Sequence, residues 1–303
     1  MRQLSGYMLT AGLFFAVSLT WGTTWMAMKL ALVSFPPVFA TGLRFLIAAP
    51  MLVALTLRAN KPLLFPKGKR KFQVLLALFY FSIPFTLMIY GEETVSSGMA
   101  ALLFSVMPVA IVVTSWLLLG HTISRLQATG VVIVMLALGM IILNESGSTE
   151  IESGKGVVAI LMAVSLHAVV YVLCRKHCSG ISVLTYNALP CFGAAVLLLG
   201  CSFWNEHIRT LNITSTAIYA VIYLGGVAGV LGIMAYFQLQ KRVLPFYASL
   251  VYFVFPLVAI ALDDYLTHHM ISVTSECMVA VFLLGILLVV YPLWLSSSKR
   301  HGD

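Results

Sequence analysis

The stretch Val131–Leu143, VVIVMLALGMIIL, decides the fold class, because it is apolar on every face and cannot lie with one side in water. Extended back to Leu126 it is an uncharged segment close to the length of about 20 residues that a helix needs to cross the hydrocarbon core. Closed β-barrels are the other spanning solution, but their strands alternate inward and outward residues over roughly ten positions. No such alternation is present here, so the segment reads as a transmembrane helix.

Comparable stretches recur along almost the whole chain. Of its 303 residues 61% are hydrophobic and only 9% charged, against about 25% charged in soluble proteins. The expected spans are Tyr7–Met28, Val38–Leu57, Phe72–Gly91, Ser97–Leu119 and Leu126–Leu143, then Val157–Cys174, Val183–Phe203, Ala217–Leu239, Leu244–Leu262 and Cys277–Leu295. The predicted fold is therefore an all-α integral membrane protein of ten transmembrane helices. The first stretch follows Arg2 but is longer than a signal peptide's apolar region and leads at once into a second span, so it reads as retained. The five cysteines, Cys174, Cys178, Cys191, Cys201 and Cys277, are odd in number and fall mostly within spans, which argues against a disulfide framework.

Loop charge sets the expected orientation. Alternate connections hold 14 of the 18 basic residues, among them Arg58, Lys61, Lys67, Lys69, Arg70, Lys71, Lys241 and Arg242. The opposite connections hold nine of the ten acids: Glu92, Glu93, Glu145, Glu150, Glu152, Glu206, Asp263, Asp264 and Glu276. Positive loops stay cytoplasmic, so both termini are expected in the cytoplasm of a multi-pass protein of the cytoplasmic membrane. This topological excess explains the net charge of +8 without nucleic acid.

An internal repeat runs through the chain. Ala16-Val17-Ser18-Leu19 recurs as Ala163-Val164-Ser165-Leu166, Ala100–Pro108 matches Ala248–Pro256, and Leu138-Gly139 matches Leu284-Gly285. Two units, 1–145 and 146–303, each hold five spans. Because five is odd, the second must enter the bilayer the other way up, which is an inverted repeat suited to alternating access about a midplane site.

Taken together, Trp21-Gly22-Thr23-Thr24-Trp25, Pro36-Pro37, Arg44-Phe45, the Ser97–Pro108 stretch and Ala248-Ser249-Leu250 to Pro256 resemble the drug/metabolite transporter superfamily, within it the EamA-type ten-span exporters. The resemblance covers nearly the whole chain. Where many members carry Gly-Glu after the fourth and ninth spans, this chain has Gly120-His121 and Asp263-Asp264. The resemblance implies export of amino acids or similar small metabolites, without an enzymatic reaction or cofactor. The expected partners are a small-molecule substrate and the lipid bilayer, and a homodimer is compatible with the architecture.

Candidate substrate-binding residues are those near mid-span. Thr20 and His167 follow the repeated Ala-Val-Ser-Leu in the two halves. An ionisable side chain at membrane depth is costly and reads first as functional, although a neutral histidine bonded to a neighbouring helix is an ordinary alternative. Arg44 lies about 9 Å below the outer end of its span, where it either forks onto a substrate carboxylate or pairs with Glu92 or Glu93. The ion pair is the preferred expectation. Trp21, Tyr80, Tyr90, Tyr171, Tyr236 and Tyr252 are aromatics inside spans rather than at the interfaces. Of these Trp21, Tyr80, Tyr171 and Tyr252 are placed in the expected site. Gly225 and Gly229 have small-xxx-small spacing for helix packing, and Pro108 and Pro256 are expected to act as a matched hinge.

Three motifs offer a metal or nucleotide reading. Cys174, His177 and Cys178 lack a fourth zinc ligand. Asp263 and Asp264 with His268 and His269 form an outer loop that a divalent-metal transporter would use. Ser153-Gly154-Lys155-Gly156 lacks the upstream glycine of a phosphate loop. An intramembrane enzyme would need a nucleophile and base together at depth, and the sequence shows no such set.

Overall fold

Each apolar stretch folds as a helix because a bilayer offers no water to main-chain N–H and C=O groups, so their hydrogen bonds must close within the segment. The computed structural model describes residues 2–145, 150–178, 180–206, 212–243, 245–267 and 272–299, and these are helical apart from short connections. In chain order the spans are α1 Arg2–Leu32, α2 Pro37–Arg58, α3 Arg70–Gly91, α4 Ser97–Leu119 and α5 Arg125–Glu145. The second set is α6 Glu150–His177, α7 Val183–Asn205, α8 Ser215–Gln240, α9 Tyr247–Thr267 and α10 Val273–Lys299. Among the described residues nine helices are long and apolar enough to cross a membrane. The tenth, α1, is 31 residues long with Arg2 and Lys29 as its only charges.

Polar side chains fix the helix ends. Ser96 accepts from Met99 N at 3.3 Å and opens α4, while Ser124 and Gln127 form a reciprocal capping box at the start of α5. Gly120 closes α4 with φ +67°, a left-handed conformation that glycine adopts without a Cβ penalty. The first turn of α2 is capped from another span. Glu206, at the end of α7, accepts the Val38 and Phe39 N–H groups through its two carboxylate oxygens, each at 2.9 Å. Ser202 Oγ donates to the same carboxylate at 2.6 Å.

Four spans are interrupted. α3 has a π-helical stretch at Ala77–Ser82, just before Pro84, and α8 has a longer one at Tyr223–Gly232. α4 breaks between Phe104 and Met107, and α9 breaks at Leu250, between the short piece Pro245–Ser249 and the helix that runs on from Val251. Such breaks release main-chain carbonyls and are tolerated in a membrane only where protein or a cavity receives them.

The most extensive helix pairs are α5 with α10 and α2 with α7, and α4 packs on α9. Beside them, α1 packs on α8 and α9, α6 on α3 and α4, α2 on α8, and α7 on α3. These pairs are unchanged when every helix of one half is exchanged for its counterpart in chain order, whereas the smaller contacts of α1 with α4, α2 with α3, and α10 with α4 and α9 have no comparable counterpart. The interior is thus shared by α1, α3, α4, α6, α8 and α9. Close approach rests on small residues. An added Cβ on Gly91 would meet the Gly156 carbonyl oxygen at 2.9 Å, and one on Gly156 would meet the Gly91 oxygen at 2.6 Å, so α3 and α6 touch backbone to backbone there.

The expected ends require one correction. Asp263 was placed in a wet outer loop, yet α9 continues through it to Thr267, and its side chain is only 7% exposed. The reason is the N-terminal turn of α4, which lies against α9 and donates the Gly98 N–H to Asp263 Oδ2 at 3.0 Å.

Candidate functional site

Two aromatic clusters occupy the interior, one centred on α6 and the other on α1. In the first, the His167 ring meets Tyr80 at 4.9 Å, Phe85 at 5.3 Å and Phe104 at 5.8 Å, all edge to face. In the second, Trp21 meets Tyr236 at 4.8 Å, Tyr252 at 5.9 Å and Phe255 at 6.3 Å. The first draws on α6, α3 and α4, the second on α1, α8 and α9, which are corresponding helices of the two halves. Phe104 and Tyr252 are matched positions in the sequence repeat. Both pack against the buried group of Met107, Val164 and Ala168, so each aromatic cluster borders that group.

The depth is central. Tyr80 and His167 each lie ten residues from the basic-loop ends of their helices, about 15 Å at 1.5 Å per residue in a hydrocarbon core about 30 Å thick. His167 is 3% exposed and bonded through Nδ1 to the Ala163 carbonyl of its own helix at 3.1 Å. Tyr80 sits in the π-helical stretch of α3, where its backbone offers the same ring a further acceptor. The hydroxyls of Tyr80, Tyr171, Tyr236 and Tyr252 are near enough to one another to interact electrostatically. Four tyrosines from four helices, with Trp21 from a fifth, give apolar walls with a few polar tips, as a small-molecule site requires.

Arg44 does not make the ion pair that its position suggested. Its guanidinium, in a residue 7% exposed, stands over the Phe85 ring at 4.6 Å, and NH1 reaches the Met28 sulfur at 3.7 Å. Arg44 Nε has no hydrogen-bond partner, and neither does either carboxylate oxygen of Glu92. The stacking on Phe85 holds the cation where no carboxylate reaches it. Since Phe85 also contacts His167, Arg44 becomes the polar neighbour of the first cluster.

Glu92 also departs from its expected setting. Its place one residue beyond α3 suggested a solvated loop, but its side chain is 0% exposed. Lys29, from α1, donates to the Glu92 and Val95 carbonyls at 2.9 and 3.3 Å. The Glu92 carbonyl caps the end of α3, where a cation also complements the helix dipole, and the Val95 carbonyl lies in the connection to α4.

The remaining predicted residues divide. Thr20 is turned to α8 rather than to the aromatic centre: its hydroxyl bonds Ala16 O at 2.6 Å and its carbonyl accepts from Tyr223 OH at 3.3 Å. Tyr171 is beside the tyrosines and is exposed. Gly225 packs directly on α2, where a Cβ would meet the Arg44 carbonyl oxygen at 2.6 Å, whereas the nearest α2 atom to a Gly229 Cβ is the Ala48 Cβ at 3.7 Å. Pro108 starts the second piece of α4 while Pro256 lies inside a continuous helix, so the two prolines do different local work. Tyr236 stood in the wider aromatic set and proves central; Phe85, Phe104 and Met28 were not anticipated, and the i, i+4 pair Phe81 and Phe85 beside Pro84 was the available signal. His268 and His269 lie outside the described residues. Among the described residues no three His, Cys, Asp or Glu side chains form a metal-holding group.

The EamA-like transporter family matches residues 8–143 and again 154–291. Protein PagO of Salmonella typhimurium is 44% identical over 291 residues, covering 96% of each chain. An uncharacterized transporter of Buchnera aphidicola subsp. Schizaphis graminum is 43% identical over 93% of this chain and 94% of its own. The uncharacterized inner membrane transporter YedA of Escherichia coli K12 is 27% identical over 95% of this chain and 92% of its own. A solved crystal structure aligns with a TM-score of 0.66 and 17% identity over 92% of this chain and 95% of that one, a likeness of fold alone. With its apolar helices and its match to one family over both halves, the chain is a multi-span membrane protein of the EamA-like transporter family, which carries small molecules across membranes and is not a family of enzymes.

Proposed function

We propose that this protein exports a small amphipathic metabolite of the amino-acid class across the cytoplasmic membrane by alternating access, through rocking of two inverted five-helix halves, 1–145 and 146–303. The observation that carries the reading is the pair of aromatic clusters, one on Trp21 and one on His167, which border the same buried group of Met107, Val164 and Ala168 through Tyr252 and Phe104. An inverted repeat that visits both sides places related groups around one central site. The helix pairs that are unchanged when the halves are exchanged support the same symmetry.

The chemistry favours a zwitterion. Aromatic faces receive an ammonium group through cation–π attraction, and Arg44 keeps an unpartnered Nε donor for a carboxylate beside Phe85. The basic loops face the cytoplasm, which puts both termini inside and the site between two aqueous sides.

Reconstitution into liposomes with a panel of labelled amino acids and related metabolites tests this. Flux is expected for at least one compound, and Trp21→Ala and His167→Ala, inserted normally, are each expected to abolish it. Unchanged flux in both variants overturns the site, and absence of flux across the panel overturns the substrate class.

A further inference from the structure

We infer that the carboxyl group of Glu92 is a proton-binding site that couples opening of the acidic-loop end of the helix bundle to proton release on that side, which names the coupling ion of the transport proposed above and rests on that reading.

Glu92 lies one residue past α3, outside the spans, and is wholly enclosed, with neither carboxylate oxygen hydrogen-bonded. A buried carboxylate without a donor is strongly disfavoured, so the group holds its proton. Desolvation keeps it well above the ordinary carboxylate range, with Lys29, Ser97 and Arg44 opposing and Asp263 reinforcing. A structural carboxylate would instead be paired. The same end supplies the contrast in Glu206, whose two oxygens take three donors.

The groups around Glu92 explain why it stays unpaired while this end is closed. From α1 comes Lys29, whose ammonium is engaged by the Glu92 and Val95 carbonyls. From α9 comes Asp263, held by the Gly98 N–H. From α2 comes Arg44, turned to Phe85 and Met28. The start of α4 brings the buried Ser97 hydroxyl close to the Glu92 carboxyl, where it opposes protonation, but without the geometry of a formed hydrogen bond. α6 presents Gly156 and Ile160 against Gly91, and its Lys155 is exposed. The packing that seals this end thus engages the Lys29 ammonium with main-chain carbonyls and holds the Arg44 guanidinium over Phe85 rather than on the Glu92 carboxylate.

Separation of α1, α3 and α9 would release Lys29 and admit water. The O–H of Glu92 then gives its proton to water on the acidic-loop side, leaving a solvated carboxylate and hydronium. The closed state binds the extra proton, so raising the pH above the ordinary carboxylate value of about 4.3 favours the open state progressively, and lowering it favours the closed one.

The test reads opening without any substrate. In the full chain with its five cysteines replaced, Val95→Cys, buried at this end, and Asn212→Cys, exposed in a loop, are labelled with a membrane-impermeant maleimide between pH 5.5 and 8.5. Their rate ratio removes the intrinsic pH dependence of thiols. The ratio is expected to rise with pH, by at most about tenfold per unit for one proton, to be flat in Glu92→Gln, and to rise again in Glu92→Asp. A flat ratio with Glu92 intact, or the same slope in Glu92→Gln, overturns the inference. Ser97→Cys serves as the reporter if Val95→Cys fails to insert. A missing slope with intact liposome flux refutes proton coupling alone, and a slope without flux for any labelled compound refutes the transport reading alone.

Discussion

Adding one methyl group at Gly225 should separate α2 from α8, and the neighbouring Gly226 provides an internal control. A Cβ at Gly225 would lie 2.6 Å from the Arg44 carbonyl oxygen and 2.8 Å from the Ile47 Cβ, both fixed by α2, so one helix must retreat. At Gly226 the nearest atom is the Met51 sulfur at 3.9 Å, an ordinary contact with a flexible side chain. Alanine gains about 1 kcal/mol of helix preference over glycine at either position, and that gain cancels when the two variants are compared. What remains is the overpacking cost, typically about 1–3 kcal/mol. Gly226→Ala is therefore expected to be neutral or slightly stabilised, and Gly225→Ala to be less stable than it by about 1–3 kcal/mol. Thermal unfolding of both proteins in one detergent, followed by loss of the monodisperse chromatographic peak, gives the order directly. Equal melting of Gly225→Ala and Gly226→Ala would refute the close α2–α8 contact.

Glu206→Ala removes the acceptor for two N–H groups at the start of α2 and is expected to cost about 1–3 kcal/mol, while Glu206→Gln, which keeps one acceptor, should lose less; the same melting assay reports both, and a harmless Glu206→Ala would exclude the cross-span cap. Single cysteines at Lys69 and Asn212 are expected to react with an impermeant reagent from opposite sides of the membrane, Asn212→Cys from outside intact spheroplasts and Lys69→Cys only after permeabilisation. Labelling of both from one side would overturn the orientation.

Helix and membrane were legible in the sequence because they depend on local composition. An apolar run such as Val131–Leu143 must close its own hydrogen bonds wherever its neighbours lie. Aromatics inside spans were also legible from the sequence, and in the interior Trp21 meets Tyr252 while Tyr80 meets His167. The surroundings of charged groups were not. Glu92, Asp263 and Arg44 read as loop or ion-pair residues by their distance from span ends, because chain position says nothing about which helix covers a side chain.

By itself the sequence determined that this chain is a bundle of bilayer-length helices with basic and acidic loops alternating, since hydrophobicity and charge act residue by residue. Only the tertiary structure decided that Arg44 lies on Phe85, that Asp263 receives the Gly98 N–H, and that Glu92 is enclosed without a donor. Each of those outcomes depends on two or three helices arriving together, and the energy of a buried charge is set by the partners brought to it from elsewhere in the chain.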